Sequence, residues 1–366
     1  MKYDYLIVGA GLFGCVCAQE LKQRGKKCLV LDKRNHIGGN IYTEDVEGIP
    51  VHRYGAHIFH TSDEEVWQYV NRFVAMQNFI NSPVAIYEGR AYNLPFNMNT
   101  FAKIWDITTP QQAQEKIAEE RKELENVVPR NLEEQAVKLV GKTIYRMLVK
   151  GYTEKQWGRD CKDLPPFIIK RLPVRFTYDN NYFNDKYQAV VEGGYTRLAE
   201  KLLEGTEVLL NTDYADYAAT HDDFEKVIYT GAIDEFFGYR FGHLQYRSVH
   251  FETSVLDTEN YQGNAVVNYT ERSVPYTRII EHKHFARVSC PKTVISKEYS
   301  VEWTPNGPYE PYYPVNDEAN GEILRRYEEY AKQFPNVVFG GRLGEYKYYD
   351  MDKVIRRAFD VLKTLQ

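Results

Sequence analysis

Short apolar runs broken by glycine mark the start of the chain. Residues 3–8 (YDYLIV) predict a buried strand that runs straight into Gly9-Ala10-Gly11-Leu12-Phe13-Gly14. The stretch from there to Arg24 has helical character and is closed by Gly25, and a second apolar run, 27–31, ends in Asp32. Between residues 99 and 158 the pattern turns helical: Asn99, Thr109 before Pro110, and Asn131 are the expected N-caps of segments rich in Gln, Glu, Lys and Ala. Residues 173–187 and 249–299 carry aromatic and β-branched runs without helical period, such as 174–178, 265–269 and 294–299, and predict an antiparallel sheet. Between those blocks, 196–203 reads as a helix, 207–210 as a strand, and 226–229 as a strand ending at Thr230-Gly231. Near the C-terminus a strand at 337–339 runs into Gly340-Gly341-Arg342. Asp350-Met351-Asp352 then opens a helix with Val354, Ile355, Ala358, Phe359 and Leu362 at helical spacing.

The N-terminal order is strand, G-x-G-x-x-G, helix, strand, acid, with Asp32 lying 23 positions after Gly9, near the spacing of about 20 expected of a dinucleotide fold. Each residue type has a physical task. Gly9, Gly11 and Gly14 let the backbone approach a pyrophosphate, the helix N-terminus stabilises its charge, and the Asp32 carboxylate accepts hydrogen bonds from a ribose. The motif alone leaves NAD and FAD open. Arg34, followed by Gly38-Gly39-Asn40, resembles the extension of the glutathione-reductase and amine-oxidase superfamily and shifts the balance to FAD, with Gly39 and Asn40 as further contacts. In that superfamily a C-terminal segment closes the flavin site, which here falls on Arg342, Asp350 and Met351. The expected fold class is therefore α/β, a Rossmann-like FAD-binding domain with a helical insertion and an antiparallel β-sheet domain. Residues 1–80, 190–240 and 316–366 would form the first, 99–160 the insertion, and 81–98, 161–189 and 241–315 the sheet domain.

Length and composition narrow the field. With 366 residues, at about 100–200 per domain, two or three domains are expected. A net charge of −5 excludes an overall positive field for nucleic acid or anionic lipid, so any anionic ligand must be met by a local basic cluster. Tyrosine is abundant, at 30 residues, and supplies flat rings with polar tips that suit the walls of a cleft for sugars or nucleobases. No run approaches the roughly 18–20 apolar residues of a membrane span. Five cysteines without paired spacing indicate neither disulfides nor zinc, and the expected location is cytoplasmic.

Three groups of residues are candidates for chemistry. His57 and His60, three apart, lack a third ligand at metal spacing, so a histidine beside a flavin or a buried, hydrogen-bonded one is the better reading, and no metal is expected. Tyr152 and Trp157 form an aromatic pair at the end of the helical insertion, in company too polar for a core. Arg171, Arg278 and Arg342 each stand beside a tyrosine or an apolar run.

The segments KRNHIGGN (33–40), YGAHIFHT (54–61), NLPFNMNTF (93–101), GYTEKQWG (151–158), RFTYDNNYF (175–183), PYTRIIEHKHF (275–285), PYYPVND (311–317) and GRLGEYKYYDMD (341–352) together resemble the bacterial UDP-galactopyranose mutases across essentially the whole chain. The resemblance implies a flavin-dependent isomerase of cell-surface polysaccharide synthesis that interconverts UDP-galactopyranose and UDP-galactofuranose. It implies a covalent adduct at N5 of reduced FAD and no net redox change. Arg171 and Arg278 fall where the family clamps the diphosphate, a task suited to the planar guanidinium fork. Tyr152 and Trp157 fall where uracil stacks, and Tyr182, Tyr313 and Tyr348 where hydroxyls reach phosphate, with Tyr312 as the neighbour of Tyr313. With Arg171 and Arg278, His57 is expected to be catalytic, standing beside the flavin. Asp32 departs from the Glu common at that position in relatives. The resemblance further implies an external reductant such as NAD(P)H and a homodimer, and the segment from Arg171 to Tyr182 is expected to act as a mobile lid. Two other readings stay open: an oxidase or desaturase on the same fold, and a flavoprotein that binds UDP-sugar without turnover.

Overall fold

The computed structural model describes residues 2–365 except Lys170, Arg171 and Asn306. Its first layer is a parallel sheet of five strands in the order Glu207–Leu209, Cys28–Leu31, Tyr3–Val8, Phe224–Tyr229, Val337–Phe339. Tyr5 pairs with Cys28 and Val8 with Leu31 on one side, and Val8 with Tyr229 on the other. Both faces of such a sheet are covered, so its strands read as continuous apolar runs, and Cys28–Leu31 is buried at all four positions. The helix Leu12–Gln23 packs on this sheet together with Thr196–Leu203 and the C-terminal helix Met351–Thr364. Arg24, at the end of the first helix, donates from Nη1 to the Leu362 carbonyl at 2.7 Å, joining residues 338 positions apart.

The second layer is a seven-stranded sheet in the order Tyr313–Pro314, Tyr246–Leu256, Thr293–Glu302, Arg278–Glu281, Val266–Tyr269, Val84–Tyr87, Arg90–Asn93. It is antiparallel except that Val266–Tyr269 runs parallel to Val84–Tyr87. A small antiparallel sheet of Phe59–Thr61, Tyr187–Val191 and Met76–Asn78 is hydrogen-bonded to neither but packs against both. The helical part comprises Met98–Trp105, Pro110–Glu120, Leu132–Ile144, a π-helical turn Tyr145–Lys150, and Gly151–Trp157, with a separate apolar core around Phe101, Ala136, Val140 and Ile144. The fold class is the expected one, α/β with a Rossmann-like unit, a helical part and a largely antiparallel sheet.

Two local readings need correction. Asn97, not Asn99, caps the first inserted helix: its side chain accepts from the Asn99 and Thr100 amides, and the Thr100 hydroxyl accepts from the Asn97 amide in return. Asn99 instead uses its side-chain amide to hold the Tyr178 carbonyl at 3.1 Å. Thr109 and Asn131 cap as expected. The run 173–186 is not a strand; apart from one bridge between Phe96 and Val174, it is irregular. The Arg175 guanidinium turns back onto the carbonyls of Asn181, Tyr182 and Phe183, and the rings pack sideways, Phe176 on Phe101 and Phe183 on His60, instead of across a strand pair.

The turn between the first strand and helix admits no side chain at Gly14. A Cβ there would sit 2.0 Å from the Gly9 carbonyl oxygen. Overpacking of this kind costs about 1–3 kcal/mol, so Gly14→Ala should lower the stability of the apoprotein, read from urea unfolding, by that amount. Gly321→Ala is the control. Gly321 lies in the helix Glu318–Ala331, where an added methyl would meet nothing within 4 Å, and the change should stabilise by about 0.5–1 kcal/mol.

Candidate active site

A cavity of about 1370 Å³ lies between the parallel sheet and the seven-stranded sheet. Single-ligand pockets run to about 300–1,000 Å³, so this one has room for two sizeable molecules.

One end is built from glycine turns. Gly9, Gly11 and Gly14 line it, and Gly39 faces Gly11 so closely that a Cβ on Gly39 would stand 2.8 Å from the Gly11 Cα. The helix Leu12–Gln23 opens here without a side-chain cap and without an acidic residue in its first turn, leaving its amides for an anion. Asp32 is buried, and its two oxygens accept from the Ala10 and Arg34 amides at 2.7 and 2.9 Å, which fixes the carboxylate at the cavity wall. The Arg34 guanidinium bonds Asn40 Oδ1 at 3.0 Å and lies over the Tyr54 ring. The cradle fits a dinucleotide.

Next along the cavity come His57, Arg342, Asp350 and Met351. Arg342 spends Nη2 on the Tyr312 carbonyl at 3.0 Å and lies over the Tyr348 ring, while its Nε is buried without a partner among the described residues. An orphaned charged donor beside a dinucleotide cradle fits the polar ring edge of a flavin. His57 sits 2.7 Å from the Gly55 carbonyl through Nδ1, so Nδ1 carries the proton and Nε2 is left as an acceptor. Behind it stands a row of imidazoles. The His57 amide donates to His52 Nδ1 and the His52 amide to His282 Nδ1, both at 3.2 Å, and His282 Nε2 meets the Ser296 hydroxyl at 2.8 Å. Burial lowers the pKa of all three, His57 to about 4 and His282 to about 3.

The other part of the lining carries Tyr152, Trp157, Tyr182, Arg278, Tyr313 and Tyr348, with Tyr312 beside Tyr313. Burial raises the phenol pKa of Tyr152, Tyr182 and Tyr313, keeping their hydroxyls as donors. Arg278 is gripped by Glu298, Nε at 2.8 Å and Nη2 at 2.6 Å from the same carboxylate oxygen. Burial alone would lower the Arg278 pKa, but the Glu298 charge overrides it and the net shift is upward. Arg171 lies outside the described residues; every other residue expected at the site lines this single cavity.

Two further groups line the cavity: Glu298, which the sequence reading misses, and His60, which it names only beside His57. Glu298 is a buried residue of the strand Thr293–Glu302, and a carboxylate within that run of apolar and β-branched residues is the available signal. His60 holds Asp185 at 2.7 Å through Nδ1 and stacks on Phe183 at 3.8 Å, a pairing between distant segments that local sequence does not carry.

The model of the UDP-galactopyranose mutase family matches residues 147–348, more than half of the chain, and that of a NAD(P)-binding Rossmann-like domain matches residues 7–73. Over 99% of its length the chain is 40% identical to the probable UDP-galactopyranose mutase of Klebsiella pneumoniae, across 93% of that protein. The chain belongs to the UDP-galactopyranose mutase family. It is also 39% identical to the dTDP-fucopyranose mutase of Escherichia coli, over 97% of this chain and 96% of that protein. Among solved structures, a reduced UDP-galactopyranose mutase superposes with a TM-score of 0.75 at 15% identity, covering 100% of this chain and 96% of that one. At that identity the likeness shows the shared fold.

The buried histidines set an acid limit on the folded state. Above the ordinary imidazole pKa of about 6.5 they are neutral whether the chain is folded or not. As pH falls below that value, the unfolded chain takes up protons that the folded one refuses, and stability drops by up to about 1.4 kcal/mol per pH unit for each such histidine. Urea midpoints should therefore decline between pH 7 and pH 5, above the range of ordinary carboxylates. A flat profile would mean that the three imidazoles gain charge in place.

Proposed function

We propose that this protein is a flavin-dependent isomerase that interconverts UDP-galactopyranose and UDP-galactofuranose with no net redox change. The observation that carries the reading is the single cavity that joins a dinucleotide cradle to an aromatic end holding Arg278. Gly9, Gly11, Gly14, Asp32, Arg34, Gly39 and Asn40 would hold the adenosine and pyrophosphate of FAD, and Arg342, Asp350, Met351 and His57 would border its ring. When bound and reduced, FAD supplies a nucleophilic N5 for the anomeric carbon of the sugar. The chain's own residues bind, orient and exclude water. Arg278, held in place by Glu298, keeps a permanent charge toward the diphosphate, and Arg171 is proposed as its partner. Tyr182, Tyr313 and Tyr348 would donate their neutral hydroxyls to phosphate oxygens. Tyr152 and Trp157 would flank the base. The neutral Nε2 of His57 offers an acceptor beside the ring without adding charge. An external reductant of the NAD(P)H type, a homodimer and a cytoplasmic location belong to the same proposal.

The 39% identity to a dTDP-fucopyranose mutase supports a second reading, in which the base is thymine and the sugar lacks its 6-hydroxyl. Purified protein reduced with dithionite should convert UDP-galactofuranose to UDP-galactopyranose, and its kcat/KM for this pair should exceed that for the dTDP-fucose pair at least about tenfold, a discrimination of about 1.4 kcal/mol. Faster turnover of dTDP-fucose would establish the second reading. Equal rates for oxidised and reduced protein would remove the N5 chemistry.

The diphosphate assignment has its own test. A hydrogen bond to a charged group is worth about 1.5–3 kcal/mol, so Arg278→Ala and Arg171→Ala should each lower kcat/KM at least about tenfold. Lys at either position should restore only part of the loss. Unchanged kinetics in Arg278→Ala would place the diphosphate elsewhere.

A further inference from the structure

The helix Gly151–Trp157 bears Tyr152 and Trp157 on the cavity wall, and between them stands a lysine that the cavity does not use. Lys155 turns away from the cavity and donates from Nζ to three carbonyls, of Tyr269 at 2.6 Å, Val274 at 3.0 Å and Tyr276 at 2.8 Å. Three donors meet three acceptors, so the ammonium is fully satisfied. Its partners are neutral: among the described residues it forms no ion pair with a carboxylate. Burial lowers its pKa to about 8, which leaves it a cation at neutral pH.

The Tyr269 carbonyl closes the strand Val266–Tyr269, and those of Val274 and Tyr276 belong to its connection to the strand Arg278–Glu281. The two flanks of that connection reach the cavity. On one is Asn268, whose Oδ1 is buried without a partner among the described residues; on the other is Arg278. The same helix meets this hairpin at other points. A Cβ on Gly151 would lie 2.4 Å from the Thr270 carbonyl, Arg272 reaches Glu154 at 3.3 Å, and in the π-helical turn just before the helix the Met147 carbonyl accepts from the Thr270 hydroxyl at 2.8 Å. At the far end of the helix, the Gln156 carbonyl accepts from Arg247 Nε at 3.1 Å and from the Ser300 hydroxyl at 2.5 Å. Of these contacts, that of Lys155 draws together both flanks of the hairpin and the helix at a single charged atom.

We propose that Lys155 is a positioning residue that locks the base-facing helix to the hairpin bearing Arg278, so that the base and diphosphate of a nucleotide are met by one rigid body. The inference rests on the nucleotide-sugar reading of the cavity and assigns Lys155 no contact with substrate. Its physical basis is effective concentration. Two contacts held on one body bind a linked ligand far more tightly than the same contacts on parts that move independently.

The test measures UDP and dTDP affinity of the reduced, flavin-loaded protein by titration. Lys155→Met should raise the Kd for the better nucleotide at least about tenfold, with a rise in KM larger than any fall in kcat and with the flavin spectrum unaltered. Lys155→Arg, which keeps a cation and several donors, should recover part of the affinity. The effects of Trp157→Ala and Arg278→Ala on Kd should be strongly non-additive in the parent protein and additive in the Lys155→Met background, because the lock is what couples them. A Lys155→Met protein with parental Kd, or one in which the two effects remain coupled, would overturn the proposal while leaving the nucleotide-sugar reading intact. A parent protein that binds neither nucleotide would overturn both. Should Lys155→Met fail to fold, hydrogen exchange of the parent protein decides the question: UDP should protect residues 151–157 and 269–276 together, and protection of the helix alone would refute the lock.

Discussion

The close approach of backbone to backbone at the first turn is the constraint on which the rest of the molecule depends. Helix Leu12–Gln23 can meet strand Tyr3–Val8 at this angle only because Gly14 puts no carbon against the Gly9 carbonyl. The same absence of side chains, repeated where Gly39 faces Gly11, leaves a channel with amide donors and no steric wall. Asp32 is then fixed by the Ala10 and Arg34 amides, so the acid that would read the ribose is oriented by the turn it serves. Once this corner is set, the order of the parallel sheet brings Tyr229 and the Gly341-Arg342 segment to the same cavity.

The principal charges around that cavity are each held by specific partners. The protein is net acidic, and the cationic charge of Arg278 is held in place by Glu298 instead of by general surface potential. The imidazoles behind His57 contribute hydrogen bonds without charge, because each ring nitrogen that faces a backbone amide must be an acceptor and burial suppresses the second proton. Such a neutral, directional scaffold can hold a loop against a cofactor without competing with the arginines for its phosphates or for those of a substrate.

Local features of the chain are legible in its sequence and non-local ones are not. The strand-turn-helix-strand-acid unit, the strand Val337–Phe339 and the helix Met351–Thr364 can be read because apolar period, glycine placement and capping all act within a few residues. The site residues other than Arg171 converge on one cavity; the dinucleotide motif and its extension name those of the glycine cradle, and the family resemblance gives most of the rest their roles. The parallel pairing of Val266–Tyr269 with Val84–Tyr87 cannot be read, since register across so long a separation leaves no local trace. The irregular course of 173–186 is hidden because rings that pack sideways give the same composition as rings that alternate across a strand pair. Asn97 and Asn99 are equivalent by type; only Thr100, three residues after Asn97, tells them apart. Lys155 has no signal at all, because its partners are backbone carbonyls and any sequence would supply them.

The hydrogen bond between Arg24 and Leu362 has a bearing on how the protein is made. The glycine turn leaves the ribosome long before the helix that covers its neighbour, Met351–Thr364, has been synthesised. Throughout that interval the apolar face of Leu12–Gln23 must wait exposed, and contacts of such long sequence separation are slow to form. A message cut short ahead of Met351 would yield a chain with nearly every other helix and strand but an uncovered core and an incomplete cavity wall. Such a chain presents a cell's quality-control machinery with an apolar surface that the folded protein hides. Emergence of this one helix is thus the event that covers the core beneath the first helix and completes the wall of the cavity.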